Sequence, residues 1–405
     1  MALEFNMVQS IGFAVLVLIF GMWLKKKIYL FERFAIPAPV IGGFTFAILN
    51  LILRQTGILE VTFDTTLQSF FMVIFFTTVG YGASVAVLKA AGPKVVTFLI
   101  LCTIMCVFQD LVPFFLGPLV GMEKDLALMT GSVSMTGGHG VSGGIAPLVE
   151  ASGVKGAETV AYTSATFGLV AGSLMGGPLA NRLILKHKLH EQESKEVDID
   201  ESILQLKARY LRGDQIMKAF IIILVAMFFG SFITDFLNKW VATFTEKAAF
   251  PMYLGTMLVA VFVRYLNDRR PQREYHELVP TQEVEVVGLV GLNLFLAMAL
   301  MNVRLWELAA VAGPMIVLLA AQALLMAFWA YFITFRVMGR DYDAAVLTAG
   351  QVGFGLGAAP NGMANMDSVV SKYKPSPLSF FIVPIVGGMF IDFTNLFVIL
   401  GFLAL

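Results

Sequence analysis

Ten stretches of about 20 apolar residues recur along this chain of 405 residues, and that is the length of helix that crosses a bilayer. Only 14% of the residues are charged, against roughly 25% in an ordinary soluble domain. Such a chain cannot hide its apolar surface by folding in water alone, so we expect an all-α polytopic membrane protein. The predicted spans are residues 8–24, 38–53, 67–88, 95–118, 158–181, 216–237, 251–266, 286–301, 311–335 and 378–403.

The basic residues predict how these spans are oriented. Lys25, Lys26 and Lys27 follow the first span, which puts the N-terminus outside if positive charge stays in the cytoplasm. Carried along ten spans, this orientation leaves 22 of the 28 lysines and arginines inside and both termini outside. The six outside are Arg54, Lys124, Lys155, Lys239, Lys247 and Arg304. Because the basic residues form no single patch, nucleic acid is not an expected partner.

A charged segment divides the chain into two similar halves. Residues 182–215 carry seven basic and seven acidic residues, so we expect a cytoplasmic linker between units 1–181 and 216–405. Four landmarks recur in the same order: Ile36-Pro37 and Phe250-Pro251, Ala91-Gly92-Pro93 and Ala312-Gly313-Pro314, Asp125 and Asp343, Gly176-Gly177 and Gly387-Gly388. Because each half has five spans, an odd number, the second copy is expected to enter from the opposite side as an inverted repeat.

Each half also has a glycine-crowded stretch between its fourth and fifth spans, at residues 131–144 and 350–362. Backbone that is not helical at membrane depth is tolerated only where protein buries it or a wet cavity adjoins it. We therefore expect two re-entrant segments that enter from opposite faces and meet near the midplane. Such a pair of breaks is typical of a transport site.

The residue types in these stretches suit an anion and a hard cation. Glycine lets the backbone approach a ligand closely, and broken helices expose N–H groups for carboxylates and carbonyls for sodium. The alternative is that the glycines only permit close helix packing. Predicted substrate ligands are Ser134, Thr136, Gly137, Gly138, His139, Gly140, Gly355, Gly357, Asn361 and Asp392. Predicted sodium ligands are Ser132, Thr166, Gln351, Asn365 and Asn395, and no other metal is expected.

Asp392 and Asp110, well inside predicted spans, and His139, in the first glycine-rich stretch, are the ionisable candidates of the predicted membrane part. An acid at membrane depth is costly unless paired, which makes Asp392 a candidate counter-charge to a substrate amine or to sodium. Asp110, in the fourth span, is a second candidate whose role the sequence leaves open. His139 either carries protons or anchors its loop through hydrogen bonds, and the second reading is favoured.

A rival class is a membrane-embedded serine hydrolase. Gly140-Val141-Ser142-Gly143 spells the motif G-x-S-G, which would make Ser142 a nucleophile. That chemistry needs a general base within hydrogen-bond reach, and His139 lies only three residues earlier in the same loop. We therefore expect no enzyme and no catalytic residue. A passive channel is a third class, but the sequence lacks a ring of pore-lining repeats.

Six runs of sequence carry a family resemblance through nearly the whole chain. They are GSVSMTGGHG at 131–140, FGLVAGSLMGGPLA at 167–180, NLFLAMALMNVRLWELA at 293–309, MGRDYDAAVLTAG at 338–350, GFGLGAAPNGMANM at 353–366 and VPIVGGMFIDFTN at 383–395. Together they closely resemble the bacterial sodium/glutamate symporter family. The family's GGxG signature falls on residues 137–140 and the paired motif on residues 353–357. Gln351 departs from the family pattern, which often has histidine there.

The resemblance implies a secondary transporter that imports glutamate with sodium across the bacterial inner membrane. It implies two inverted halves with re-entrant loops, a homodimer, and an elevator-like movement of the loop-bearing part against a scaffold. The expected partners are glutamate, sodium and the lipid bilayer, with sodium as coupling ion and no cofactor. The alternative is a sodium- or proton-coupled carrier for another carboxylate.

Overall fold

The computed structural model describes residues 2–90, 92–189, 210–243, 250–269 and 278–405. Its helices are α1 Met7–Lys27, α2 Tyr29–Arg33, α3 Ala38–Gln55, α4 Thr66–Gly82, α5 Val85–Ala90, α6 Gly92–Leu119, α7 Lys124–Leu128, α8 Gly138–Ala151, α9 Ala157–Lys186, α10 Gly213–Val241, α11 Tyr253–Asp268, α12 Thr281–Met301, α13 Ala312–Val337, α14 Tyr342–Leu356, α15 Ala359–Val370 and α16 Pro377–Leu403. A 3₁₀ turn at Leu305–Ala310 joins α12 to α13. Every predicted span therefore contains a helix.

Seven of the helices in the described ranges are long and apolar enough to cross a membrane: α1, α3, α6, α10, α12, α13 and α16. The others that fill predicted spans are α4, α9 and α11. Helix α4 is apolar but has 17 residues, and α11 has 16. Helix α9 has 30 residues, with glycine, serine and threonine among its apolar residues. The chain is a mostly helical membrane protein.

The ends of the first helix follow from local sequence. Asn6 and Gln9 form a capping box, in which each side-chain oxygen accepts the other's backbone N–H at 3.0 Å. Lys25, Lys26 and Lys27 fill the last turn, where cations favour the helix dipole. The helix therefore begins and ends at positions that local chemistry stabilises.

Six helices pack into one group, here called the frame group: α1, α3, α4, α10, α11 and α12. Helix α4 packs against α10, α11 and α12, and α3 packs against α1 and α12. A nearly buried ion pair holds one end, where Arg264 Nε lies 2.8 Å from Asp268 Oδ1. Ser84 Oγ donates a further hydrogen bond to Asp268 Oδ2 at 2.6 Å. Arg264 Nη1 donates to Thr281 Oγ1 at 2.9 Å.

The remaining long helices form a second group, here called the hairpin group: α6 to α9 and α13 to α16. Helix α9 packs against α8, α14 and α15, while α6 packs against α7, α13 and α16. Both glycine-rich stretches belong to this group. Helices α13 and α16 each contain a π-helical turn, at Trp329–Thr334 and Val386–Phe390, a distortion frequent at functional sites.

A short parallel ribbon was not predicted from the sequence. Strand β1 Ala2–Phe5 pairs with β2 Glu60–Phe63, with Ala2 opposite Glu60. Phe5 stacks on Phe63, with ring centroids 5.2 Å apart, and the ribbon lies beside α1 and α3 of the frame group.

The charged linker is only partly within the described ranges. Helix α9 continues to Lys186 and α10 begins at Gly213, so both helices extend into the segment expected as linker. Residues 190–209 lie outside the described residues. The division of the chain into 1–181, 182–215 and 216–405 stays a prediction.

Candidate functional site

The two glycine-rich stretches meet at their breaks. A Cβ built on Gly138 would lie 2.7 Å from the carbonyl oxygen of Gly357. Gln109 of α6 joins the same two segments, since its Nε2 donates to Gly355 O at 2.7 Å and its Oε1 accepts from Thr136 Oγ at 2.6 Å. The two glycine-rich stretches are therefore in contact in the fold, while their re-entry from opposite faces and their depth in the membrane stay predictions.

The two breaks differ in extent. The first runs through turns from Met129 to Gly137 before α8 begins. The second is narrower than predicted, because α14 stays helical to Leu356 and only the backbone at Gly357 and Ala358 is not helical. A Cβ on Gly353 would lie 2.5 Å from Gly362 of α15. The packing explanation therefore applies to this α14 glycine.

A buried carboxylate organises the first break. Asp110 is 1% exposed and accepts two hydrogen bonds from Ser132, from its N–H at 2.6 Å and its Oγ at 2.8 Å. Gly131 is needed next to it, because a Cβ there would lie 2.4 Å from Asp110 Oδ1. Asp110 therefore positions Ser132, a residue predicted to bind sodium.

Asn395 of α16 closes the other side of this break. Its Nδ2 donates to Ser132 O at 3.1 Å, while its Oδ1 is buried and has no hydrogen-bond partner. A buried oxygen without a partner is uncommon in native proteins and calls for an explanation. Because sodium, a hard cation, suits oxygen ligands, the chemistry of Asn395 and Ser132 fits the predicted ion.

His139 is held by a threonine and an aromatic ring. Its Nε2 lies 3.0 Å from Thr166 Oγ1, and its ring stacks on Tyr162 with centroids 6.4 Å apart. This arrangement supports the anchoring interpretation over proton transfer. It also brings Thr166, a predicted sodium ligand, beside the start of α8.

Ser134 of the first break and Ser142 of α8 contact hydroxyl and carbonyl groups of the protein. Ser134 Oγ donates to Ala161 O at 3.0 Å and contacts Met129 O. Ser142 Oγ lies 3.4 Å from both Val133 O and Ser134 Oγ. Since His139 is bonded to Thr166 instead, the arrangement gives no support to Ser142 as a nucleophile.

The other three predicted amide ligands of the second half, apart from Asn395, form hydrogen bonds within the protein. Asn361 Nδ2 donates to Leu169 O and Phe34 O, both at 3.1 Å, and to Ser173 Oγ at 2.6 Å, while its Oδ1 is buried without a partner. Asn365 Nδ2 donates to Gly172 O at 2.9 Å. Gln351 accepts from Thr334 Oγ at 2.5 Å. Of these, Asn361 keeps an oxygen available to a cation.

Asp392 is partly exposed and lies just beyond the π-helical turn of α16. The described part of the chain offers its carboxylate no hydrogen bond. Cys106 of α6 and Tyr253 of α11 are within electrostatic range of it. Within the described ranges no basic side chain forms an ion pair with this carboxylate, and its role as a ligand stays a prediction.

Two buried glutamines near the breaks, Gln109 and Gln322, were not predicted as site residues. Gln109 bridges the breaks, and Gln322 of α13 donates to Gln109 O at 2.6 Å while its Oε1 stays without a partner. Both are fully buried. The available signal was an amide inside an otherwise apolar helix, where an unmatched polar group is costly.

A cavity of about 740 Å³ lies between the frame and hairpin groups. It reaches Gly143 and Gly144 of α8 from the end of the molecule that carries β2 and Arg54.

Among the described residues no group of three or more His, Cys, Asp or Glu side chains could hold a metal ion. The site's oxygens are carbonyls, hydroxyls, amides and single carboxylates.

Comparison with known proteins gives one consistent result. The family model described as sodium/glutamate symporter matches residues 3–375. A sodium/glutamate symporter of Haemophilus influenzae is 36% identical over 401 residues, covering 98% of this chain and 96% of the relative. One of Escherichia coli is 37% identical over 393 residues, covering 97% and 96%. These alignments nearly span the chain.

Proposed function

Since the chain belongs to the sodium/glutamate symporter family, it is a symporter and not an enzyme, and we propose that it imports glutamate with sodium at the meeting point of the two helix breaks. Sodium is the coupling ion and no cofactor is required. The observation that carries the location is the contact between the breaks, which Gln109 bridges at 2.7 Å and 2.6 Å.

Glutamate is held on the first-break side of this pocket. The N–H groups that begin α8, at Gly138, His139 and Gly140, lack intrahelical acceptors and suit a carboxylate. Thr136 and Gly137 precede them, and Ser134 fixes the loop by hydrogen bonds to Ala161 O and Met129 O. Gly355, Gly357 and the oxygen of Asn361 close the pocket from the second break. Asp392 receives the substrate ammonium.

Sodium binds where oxygens without partners lie close to the same backbone. Asn395 Oδ1, beside Ser132 and Asp110, is the strongest position. Thr166, Gln351 and Asn365 complete the proposed set of ligands. Gln351 contacts the side chains of Thr334 and Cys102, and Asn365 donates to the backbone oxygens of Gly172 and Ala349. A cation beside an anionic substrate offsets its charge, and the membrane potential adds about 2.3 kcal/mol per net positive charge per 100 mV.

The membrane arrangement is proposed from the order of the helices. Helices α1, α3, α4, α6 and α9 correspond in turn to α10, α11, α12, α13 and α16, with one glycine-rich hairpin before the last helix of each set. Two inverted repeats with re-entrant hairpins explain this order. The positive-inside pattern supports both termini outside, the linker in the cytoplasm and location in the bacterial inner membrane. A homodimer follows from the family resemblance.

An elevator-like movement of the hairpin group against the frame group suits the contacts between them. The hairpin group presents glycines to frame-group aromatics: Cβ atoms on Gly143 and Gly144 would lie 2.3 Å from Phe295 and 2.4 Å from Tyr253. The ring atoms closest to these glycines are apolar carbons, so movement at these contacts breaks no hydrogen bond. Beside this boundary, Asn361 Nδ2 of α15 donates to the backbone oxygen of Phe34, which lies between α2 and α3.

Uptake into proteoliposomes tests the proposed function. Purified protein should concentrate labelled glutamate when sodium is higher outside, and should fail to do so when potassium or choline replaces sodium. Excess unlabelled citrate should leave this uptake unchanged. Glutamate uptake that is equal with and without sodium would contradict the proposal, and sodium-driven uptake of a different carboxylate would favour the alternative carrier.

A further inference from the structure

The cavity between the two helix groups has a charged wall that the proposed pocket does not use. Two arginines, Arg54 and Arg304, and three glutamates, Glu150, Glu158 and Glu307, line it. All five lie toward the end assigned to the outside. A solute that enters this cavity meets these side chains as well as Gly143 and Gly144.

Arg304 is loosely paired. Its Nη1 lies 3.7 Å from Glu150 Oε1 and 3.5 Å from Glu307 Oε1, whereas a charge-assisted hydrogen bond is about 2.7–2.9 Å long. The Arg304 side chain is 57% exposed. A guanidinium has five N–H donors in a fork that fits a carboxylate, so Arg304 can bind a better-placed carboxylate than those it faces now.

The pairing with Glu150 crosses the boundary between the two groups. Glu150 lies in the last turn of α8, in the hairpin group, and Arg304 follows α12 of the frame group. Glu307, in contrast, lies three residues beyond Arg304 on the same connection. Loss of the Glu150 contact therefore removes an attachment between the groups, while the contact with Glu307 does not.

We propose that Arg304 is an outer capture site for the carboxylate of an acidic amino acid, which displaces Glu150 from the guanidinium. This inference rests on the proposed function. Once Glu150 is displaced, Glu158, whose backbone N–H donates to Glu150 Oε2 at 3.1 Å, is the carboxylate that faces the substrate ammonium. The exchange also frees the end of α8 from the frame group, so substrate arrival and release of the hairpin group occur together.

The charged wall of the cavity does not attract anions by a net positive charge. Three carboxylates face two guanidiniums, and Arg54 is fixed over the Trp306 ring at 4.0 Å. A lining of mixed charge admits sodium as well as a zwitterion. Recognition therefore depends on the exchange at Arg304 and not on the net charge of the cavity.

The test compares variants that remove either partner of the crossing ion pair. Arg304→Gln should raise the KM for glutamate about tenfold, as expected for loss of a charged hydrogen bond, with a nearly unchanged maximal rate. Arg304→Lys, which keeps the charge but not the fork, should show a smaller rise. Glu150→Gln removes the competitor and should lower the KM by about two- to fivefold. Lys155→Gln, an exposed charge change outside the cavity, is the control.

The opposite changes in KM expected for Arg304→Gln and Glu150→Gln distinguish substrate capture by Arg304 from a role in holding the two helix groups together. If Arg304 only ties the groups together, Arg304→Gln and Glu150→Gln will shift the KM in the same direction, which overturns the proposal. An unchanged KM in Arg304→Gln overturns it as well. Should Arg304→Gln not reach the membrane, Glu150→Gln and Arg304→Lys decide on the same criteria. Absence of sodium-driven uptake in the wild type would instead contradict the proposed function.

Discussion

Gly138 and Gly357, from the two halves of the chain, touch where their helices are interrupted. Gly138 has a φ of +57°, and a Cβ on it would lie 2.7 Å from Gly357 O. Real Cβ atoms do not approach backbone oxygen so closely. The close approach of the two breaks therefore depends on glycine at position 138.

Gly138→Ala should lower the rate of sodium-driven glutamate uptake by about tenfold or more, because the methyl group forces the breaks apart. Gly57→Ala is the matched control, since Gly57 has a φ of +71° but nothing within 4 Å of its Cβ. The two variants share the left-handed strain and differ in the clash. Initial uptake rates in proteoliposomes measure the effect. Equal rates for the two variants would refute the role assigned to the contact.

Asp392→Asn should reduce sodium-driven uptake at least about tenfold, because a neutral amide cannot balance the charge of an ammonium or a sodium ion. Asp235→Asn is the control, since Asp235 is an exposed acid within α10. Both variants should reach the membrane in wild-type amounts, as judged by immunoblotting. Uptake by Asp392→Asn at the wild-type rate would remove Asp392 from the site.

Asp110→Ala should destabilise the protein by about 2–3 kcal/mol, because the Ser132 N–H would stay buried without an acceptor. Ser132→Ala removes one hydroxyl bond and keeps the N–H bond, so its cost should be near 1 kcal/mol. Thermal unfolding in detergent measures which of the two variants loses more stability. A smaller loss for Asp110→Ala than for Ser132→Ala would contradict the assigned contacts.

Asp268→Asn should lower the stability of the frame group by about 3 kcal/mol, because it leaves the nearly buried Arg264 without its ion-pair partner. The control is Asp214→Asn, whose partner Arg212 is paired at 3.0 Å but with both side chains half exposed. That variant should unfold at the wild-type temperature. Similar unfolding temperatures for both variants would show that the buried ion pair does not stabilise the frame group.

Much of the helical fold is predictable because apolar length is encoded locally. Each predicted span contains a helix, and the pairing of the glycine stretches anticipated that Gly138 and Gly357 meet. The narrow second break was not predictable from the glycine-rich sequence, because α14 stays helical through Gly353, which packs closely against Gly362 of α15. The β1 and β2 pairing joins residues some 58 positions apart in sequence, which no local pattern indicates.

The parts played by individual polar residues were the hardest to predict. The sequence indicates that Asn361 is polar and near a break, but not that its Nδ2 is directed to Phe34 O and Leu169 O. Gln109 went unassigned because its two partners, Thr136 and Gly355, are distant in sequence. Only tertiary packing decides which amide is used by the protein and which is free for a ligand.

Thiol labelling of Phe75→Cys tests the central claim most directly. Phe75 is partly exposed and its ring lies 3.3 Å from a Cβ built on Gly140, whereas Cys102 and Cys106 are buried and supply the unlabelled wild-type background. A charged, water-soluble thiol reagent should label the variant at a rate that glutamate slows only when sodium is present. A labelling rate that neither glutamate nor sodium changes would contradict a shared pocket at the meeting of the two breaks.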